Sequence, residues 1–152
     1  MHIVLVEPEI PGNTGNIARL CAATGTELHL VRPLGFSVDD RYLKRAGLDY
    51  WHLVKVHYHD NFAEVIEKYP DNTFYFNTTK TTRPFTDVKF EAEDMLVFGK
   101  ETAGLPEEIL NIKRENCIRI PMLDDARSLN LSNAAAIVVY EALRQLKFPN
   151  LG

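Results

Sequence analysis

Three polar clusters in this sequence carry residue types that could bind an anion or a nucleotide and hold a hydroxyl for reaction. The first is PEIPGNTGNIARLCAATG, directly after an apolar run. A Gly-rich turn entering a helix aims free backbone N–H groups and the positive end of the helix dipole outward, as an anion site requires. It is not GxGxxG, and no GK[ST] follows, so it is neither a dinucleotide fingerprint nor a P-loop. Asn13, Asn16 and Arg19 recur every three residues, one polar stripe beside the apolar face of a helix. The same spacing suits a solvated helix start, with Asn13 as cap and Arg19 paired to Glu7 or Glu9.

The second cluster is MLVFGKETAGLP, in which an apolar strand runs out at Gly99 and a loop leads to Pro106. Glycines just past the carboxyl end of a parallel strand let a ligand approach the backbone. Glu101 lies in this loop; it equally suits the start of the next helix, where the dipole favours a carboxylate. The third cluster is CIRIPMLDDARSLNLSN, where Ser128, Asn130, Ser132 and Asn133 crowd the mouth of the last helix. One cap needs one such side chain; four imply a ligand or a bracing role. A basic cluster, RYLKRAGLDYW, puts Arg41, Lys44 and Arg45 on one helical face ahead of Tyr50 and Trp51. Cations beside stacking aromatics suit single-stranded RNA; a charged solvated helix accounts for them equally well.

The elements that would position these clusters follow from the apolar pattern. HIVLVE, ELHLV, HLVKV, TFYFN, MLVFG and CIRIP are short runs bounded by Gly, Pro and Asn, and read as buried strands. Ile17, Leu20, Cys21 and Thr24 have helical spacing; NFAEVIEKY and PEEILNI also read as helices, the latter with Pro106 at its first position. The longest helix runs from about Leu131 to Leu146. Alternating strands and helices imply an α/β fold with a mostly parallel sheet sandwiched by helices, in a single domain over residues 1–152.

Composition bounds the function. The chain has 152 residues, 45% hydrophobic and 25% charged, enough for a core without staples. Its net charge of −4 argues against a nonspecific nucleic-acid coat but leaves room for a local basic patch. Cys21 and Cys117 stand far apart in apolar surroundings, as reduced core thiols. With no CxxC and no Cys/His cluster in the sequence, neither zinc nor a disulfide framework is expected. The N-terminus lacks the basic and apolar regions of a signal peptide, and no run approaches the roughly 18 apolar residues of a membrane span. A cytoplasmic protein is expected.

NTGNIARLCAATG, VFGKETAGLP and IRIPM with RSLNLSNAAAIVVYEALRQ, in that order and spacing, resemble the three motifs of the SPOUT-type RNA 2′-O-methyltransferases. The match is closest to the small TrmL/YibK-type tRNA enzymes, and extends through EPEIPGNTGN, PLGFSVDDRYLKRAGLDY and TTK to nearly the whole chain. The resemblance implies a deep C-terminal trefoil knot, which periodicity could not reveal. It implies S-adenosylmethionine bound against the knot loops by Asn77, Thr78, Gly99, Glu101, Ile120, Met122, Ser128 and Leu129, with Gly99 leaving room for the ligand. The implied substrate is tRNA, the 2′-hydroxyl of its wobble cytidine or uridine, with leucine isoacceptors foremost.

By the same resemblance Arg19 is the central catalytic residue, with Asn16, Glu101, Asn130 and Asn133 shaping the pocket. A guanidinium is ordinarily always protonated, so Arg19 is expected to orient a phosphate or stabilise an incipient alkoxide. Arg41, Lys44, Arg45 and Lys80 are the expected RNA contacts. The leaving thioether is neutral, so neither a metal nor an expelling acid is required. Similar enzymes often carry a basic residue where this chain has Ala103, a departure Lys100 would have to offset. The family forms homodimers through the last helix. Here Leu131, Ala135, Val138, Ala142 and Leu146 would face the subunit's own sheet, while Ile137 and Tyr140 would add an interface face. Two other readings remain: methylation of a different RNA site, or a knotted RNA-binding protein without turnover. A dinucleotide oxidoreductase is disfavoured because Arg32 and Pro33 stand where an acidic residue would follow strand two.

Overall fold

The computed structural model describes residues 1–45 and 49–152. Its strands are β1 (His2–Val6), β2 (Glu27–Val31), β3 (Val56–His59), β4 (Phe74–Asn77), β5 (Met95–Phe98) and β6 (Cys117–Ile118). Its helices are α1 (Pro11–Thr24), α2 (Arg41–Leu43), α3 (Asp49–Trp51), α4 (Phe62–Lys68), α5 (Glu107–Leu110) and α6 (Leu131–Gln145). The strands form one sheet in the order β3-β2-β1-β5-β4-β6, parallel at every pairing. The chain winds outward through β1, β2 and β3, then returns to the other side of β1. Winding reverses between β1 and β5, and ligands of open α/β sheets bind beyond the carboxyl ends at such a point.

Alternation along β1 explains why two cores form. Ile3 and Leu5 pack with Ile17, Cys21, Leu96 and Val138 under α1 and α6, whereas Val4 and Val6 pack with Phe62, Val65 and Ile109 under α4 and α5. A parallel sheet covered on both faces reads as unbroken apolar runs, which is why most strands were legible. Cys21 and Cys117 are buried and free, and burial pushes the Cys21 thiol up to about 12.

Two sequence expectations need correction. The third strand is Val56–His59, not HLVKV: Leu53 and Val54 close turns on Tyr50 and Trp51. Two histidines on the inward side of that strand hid its apolar face. Pro106 caps α5 from outside in extended backbone, and the helix has four residues. In the basic cluster, α2 buries Leu43 and leaves Arg41, Lys44 and Arg45 exposed, while the expected run continues into residues 46–48, outside the described residues. Asp40 Oδ1 caps α2 by accepting from Tyr42 N–H at 2.8 Å.

Beyond β6 the chain is gripped from two sides. Thr78 N–H donates to the Ile118 carbonyl at 3.0 Å, while Arg119 exchanges backbone bonds with Arg83 and Phe85, each 2.9 Å. The Arg119 guanidinium also donates to the Thr79 carbonyl at 3.1 Å. The 78–85 loop thus touches residues 118–119 with both of its arms.

Candidate active site

At the carboxyl ends of β4, β5 and β6 lies a cleft of about 530 Å³, within the range of small-molecule sites. The eight residues expected to hold a cofactor, Asn77, Thr78, Gly99, Glu101, Ile120, Met122, Ser128 and Leu129, all line it. Ile10, Leu105 and Ala134 also line it and were not singled out; they lie within the motifs, but an apolar side chain there reads as core.

Polar side chains tie the three motifs together behind this cleft. Asn130 caps α6: its Oδ1 accepts from the N–H groups of Ser132 (2.9 Å) and Asn133 (3.3 Å) and from the Ser132 hydroxyl (2.6 Å). Its Nδ2 donates to Asn13 Oδ1 at 3.1 Å, and Asn13 Nδ2 donates to Glu101 Oε2 at 3.2 Å. The surplus of polar groups at the helix mouth therefore serves one cap and one brace. Asn13 is buried in this relay and is not the cap of α1; that position is Ile10, with no side-chain cap bond.

Glu101 braces α1 rather than the helix that follows it in sequence. Its two oxygens accept from Glu9 N–H at 2.8 Å and Ile10 N–H at 2.7 Å, placing the carboxylate at the N-terminus of α1, where the dipole favours it. Glu9 answers by accepting from the Thr102 N–H (3.0 Å) and hydroxyl (2.7 Å). Those bonds hold the Glu9 carboxyl below its usual range. A carboxyl with a lowered folded value adds stability above its unfolded value and loses it as pH falls through the lowered one. The clasp should therefore outlast the ordinary carboxylate range during acidification. Glu101→Ala removes the acceptor of three donors, each bond to a charged group contributing about 1.5–3 kcal/mol, less where water reaches it. We expect a loss of about 2–4 kcal/mol in urea unfolding, with Glu101→Gln recovering about half.

Gly99 has a different role from the expected one. A Cβ there would lie 2.1 Å from Gly104 C and 2.2 Å from Leu105 N, so it would meet the loop's own backbone and not ligand space. The loop turns back on itself, with Gly104 N–H donating to the Lys100 carbonyl at 2.8 Å and Gly104 at φ 68°.

The structure does not bring Arg19, Asn16 or Asn133 into the cleft. Asn16 and Arg19 are exposed on α1, while Asn13 on the same nominal stripe is buried; the Arg19 guanidinium lies over the Tyr50 ring, 4.9 Å from its centre. Asn133 is exposed, and neither it nor Asn16 lines the cleft of its own chain. Among the described residues Arg19 forms no ion pair, so the expected pairing to Glu7 or Glu9 is absent. Arg41, Lys44 and Arg45 are exposed, and Arg41 stacks on Tyr42 at 5.0 Å. Lys80 lines the cleft and pairs with Glu107 at 3.3 Å. Ala103 is exposed at the rim, with Lys100 beside it in the lining. On α6, Ile137 and Tyr140 are 40% and 46% exposed, whereas Val138, Val139 and Ala142 are buried. Leu146 is half-buried. No helix among the described residues is long and apolar enough to cross a membrane.

The sequence matches the family described as the SpoU rRNA Methylase family over residues 1–140. It is 50% identical to a tRNA (cytidine(34)-2′-O)-methyltransferase of Escherichia coli K12, covering 98% of this chain and 96% of that one. A solved structure titled for 2-OH methylation of C/U34 on tRNA is 46% identical, with a TM-score of 0.91 over 96% of this chain and 95% of that one. The SpoU methyltransferase AviRb from Streptomyces viridochromogenes, solved in complex with AdoMet, is 25% identical with a TM-score of 0.88, covering 97% of this chain and 60% of that one.

Proposed function

The chain belongs to the SpoU rRNA Methylase family, and on that premise we propose that it methylates the ribose 2′-hydroxyl of the wobble nucleotide in tRNA, using S-adenosylmethionine, as a single domain over residues 1–152. The observation that carries this reading is the meeting of all three motifs at one cleft, joined by the Asn130–Asn13–Glu101 relay. The cleft fits the cofactor: polar loop backbone from three neighbouring strand ends borders it, with Ile120, Met122 and Leu129 as apolar walls for an adenine ring.

Bound S-adenosylmethionine would supply an activated methyl group whose departure leaves a neutral thioether. The remaining demands fall on this chain: to hold the hydroxyl oxygen in line and to manage its proton. Asn77, Thr78, Gly99 and the 120–129 loop hold the nucleoside part; Glu101 and Asn130 keep the motif loops in register. Arg19, with Asn16 beside it, meets the RNA, where its planar fork suits a phosphate or a developing alkoxide. Arg41, Lys44, Arg45 and Lys80 contact the backbone of the tRNA, and Lys100 stands in at the rim for the residue that Ala103 lacks. The two-armed contact of the 78–85 loop with residues 118–119 supports a trefoil knot in which the C-terminal segment threads that loop.

The protein works in the cytoplasm as a homodimer through α6. Ile137 and Tyr140 lie three residues apart on the solvent side of that helix and so form one apolar strip. Arg19 lies outside the cleft of its own chain, which fits an arrangement where α1 of one subunit borders the cleft of the other. Tyr140→Asp should raise the dimer dissociation constant at least tenfold, since a buried unpaired carboxylate is costly. Sedimentation equilibrium checks this, and a monomeric wild type at micromolar concentration refutes it. The activity itself is tested by transfer of tritiated methyl groups to total tRNA, then mapping of the label. Label at the wobble ribose is expected; label elsewhere, or none with a cofactor-binding protein, sinks the reading.

A further inference from the structure

The sheet assembles a cluster of imidazoles at the end opposite the cleft. His2 stands first on β1, and Glu27 first on β2 directly beside it in register; His29 follows two residues later on the same face. His29 is flanked by His57 on β3, and the rings stack with centres 4.5 Å apart. His2, His29 and His59 are buried. Neither the cleft nor the RNA-facing residues use any of them.

One contact in this cluster, His2 Nδ1 against Glu27 Oε2 at 3.0 Å, needs a proton or a metal ion between its partners. His2 Nε2 lies 3.0 Å from Glu93 Oε2. A carboxylate only accepts, so this ring nitrogen carries the hydrogen. His2 Nδ1 is then left with a lone pair, yet it faces Glu27 Oε2 at 3.0 Å and His29 Nε2 at 3.0 Å. Ligand atoms of His2, Glu27 and His29 all lie within 4.8 Å of one another. Around a tetrahedral zinc ion with bonds of about 2.0–2.2 Å, ligand atoms sit roughly 3.3 Å apart, so a small outward shift makes room.

We propose that His2 Nδ1, His29 Nε2 and Glu27 Oε2 form a binding site for a zinc-type divalent ion, with a fourth position open to water. The surroundings support each ligand. Glu93 fixes the His2 tautomer, and His59 Nε2 lies 3.0 Å from His29 Nδ1, within reach of the hydrogen that a ligating His29 carries there; such outer partners orient metal-bound imidazoles. Two carboxylates, Glu27 and Glu93, offset the charge of a dication. Lys55 Nζ, 3.5 Å away, and His57 Nε2, 3.8 Å away, approach only the outer Glu27 oxygen, Oε1. His57 Nε2 has no hydrogen-bond partner. The Glu27 side chain is 26% exposed, which gives an entry path.

Such an ion would staple the leading ends of β1 and β2 to the loop before β5. The test uses the full, untagged chain, stripped with chelator and titrated with zinc alone against a chromogenic chelator. One ion per chain with a submicromolar dissociation constant is expected, together with a melting midpoint about 5–10 °C higher at a hundredfold excess over that constant. Cobalt in place of zinc should give the visible absorption of a tetrahedral site. Glu27→Gln, at the rim, should weaken zinc binding at least 100-fold in a protein whose circular dichroism is unchanged. Glu93→Gln should weaken it about tenfold or more. Absence of stoichiometric binding to the folded wild type overturns the proposal, as does unchanged affinity in Glu27→Gln. Cofactor binding is unaffected by either outcome, so the methyltransferase reading stands or falls separately.

Discussion

Arg19→Ala should reduce single-turnover methyl transfer to a wobble-containing tRNA by at least about 100-fold, the usual cost of losing a donor aimed at transition-state charge. Cofactor affinity should stay within a few-fold, because Arg19 is exposed on α1 and does not line the cleft. Its stack on Tyr50 is a surface contact, contributing about 0.5–1 kcal/mol to stability at most. The variant should therefore fold normally. Arg19→Lys should be nearly as damaging, because an ammonium lacks the flat two-pronged donor. The decisive pair of measurements is the transfer rate and a direct cofactor titration. A variant retaining more than about a tenth of the wild-type rate has lost less than ~1.4 kcal/mol of transition-state stabilisation. Arg19 would then be a surface residue, and the catalytic role would pass to the Glu101 and Asn130 side of the cleft.

Gly99→Ala should be among the most destabilising single-methyl changes in the molecule. The added carbon would sit 2.1 Å from one backbone atom and 2.2 Å from another, and no rotamer change relieves a clash with main chain. Overpacking costs about 3 kcal/mol in its severe cases, a large part of the 5–15 kcal/mol that typically holds a domain together. A fall of roughly 6–12 °C in melting midpoint is expected for a chain of this size. Gly104→Ala is the control. Its Cβ would meet nothing within 4 Å, so only the left-handed backbone is strained, at about 1–2 kcal/mol. Equal midpoints for the two variants would mean that the 99–105 loop opens freely.

These residues also show what a sequence can and cannot reveal. The parallel α/β architecture was legible because both faces of the sheet are apolar, and α6 because its periodicity is long. The loops that line the cleft were legible because strand ends carry Gly, Asn and Ser in a recognisable order. Glu101 was placed in the right loop with the wrong partner. A carboxylate is read most naturally against its nearest helix, but its acceptors serve α1, 91 residues away. Gly99 was read as ligand space because a glycine at a strand end has two causes that composition does not separate. The histidines were invisible as a group. They are scattered over three strands, and only the register of β1, β2 and β3 stacks them. Where the apolar strand pattern was interrupted by His57 and His59, the strand itself was misplaced.

The relay from Asn130 through Asn13 to Glu101 joins residues up to 117 positions apart. During translation, then, no growing chain owns a finished cleft. Asn13 emerges early and Glu101 much later, yet the cap that completes the pocket is added with the last helix. At roughly 5–20 residues per second, Asn130 follows Glu101 off the ribosome's catalytic centre by about 1.5–6 s. Through that interval Asn13 and Glu101 lack their final partner. Ligand capture is thereby deferred to the completed polypeptide, and a prematurely terminated product would neither sequester the methyl donor nor compete for tRNA at the reacting ribose.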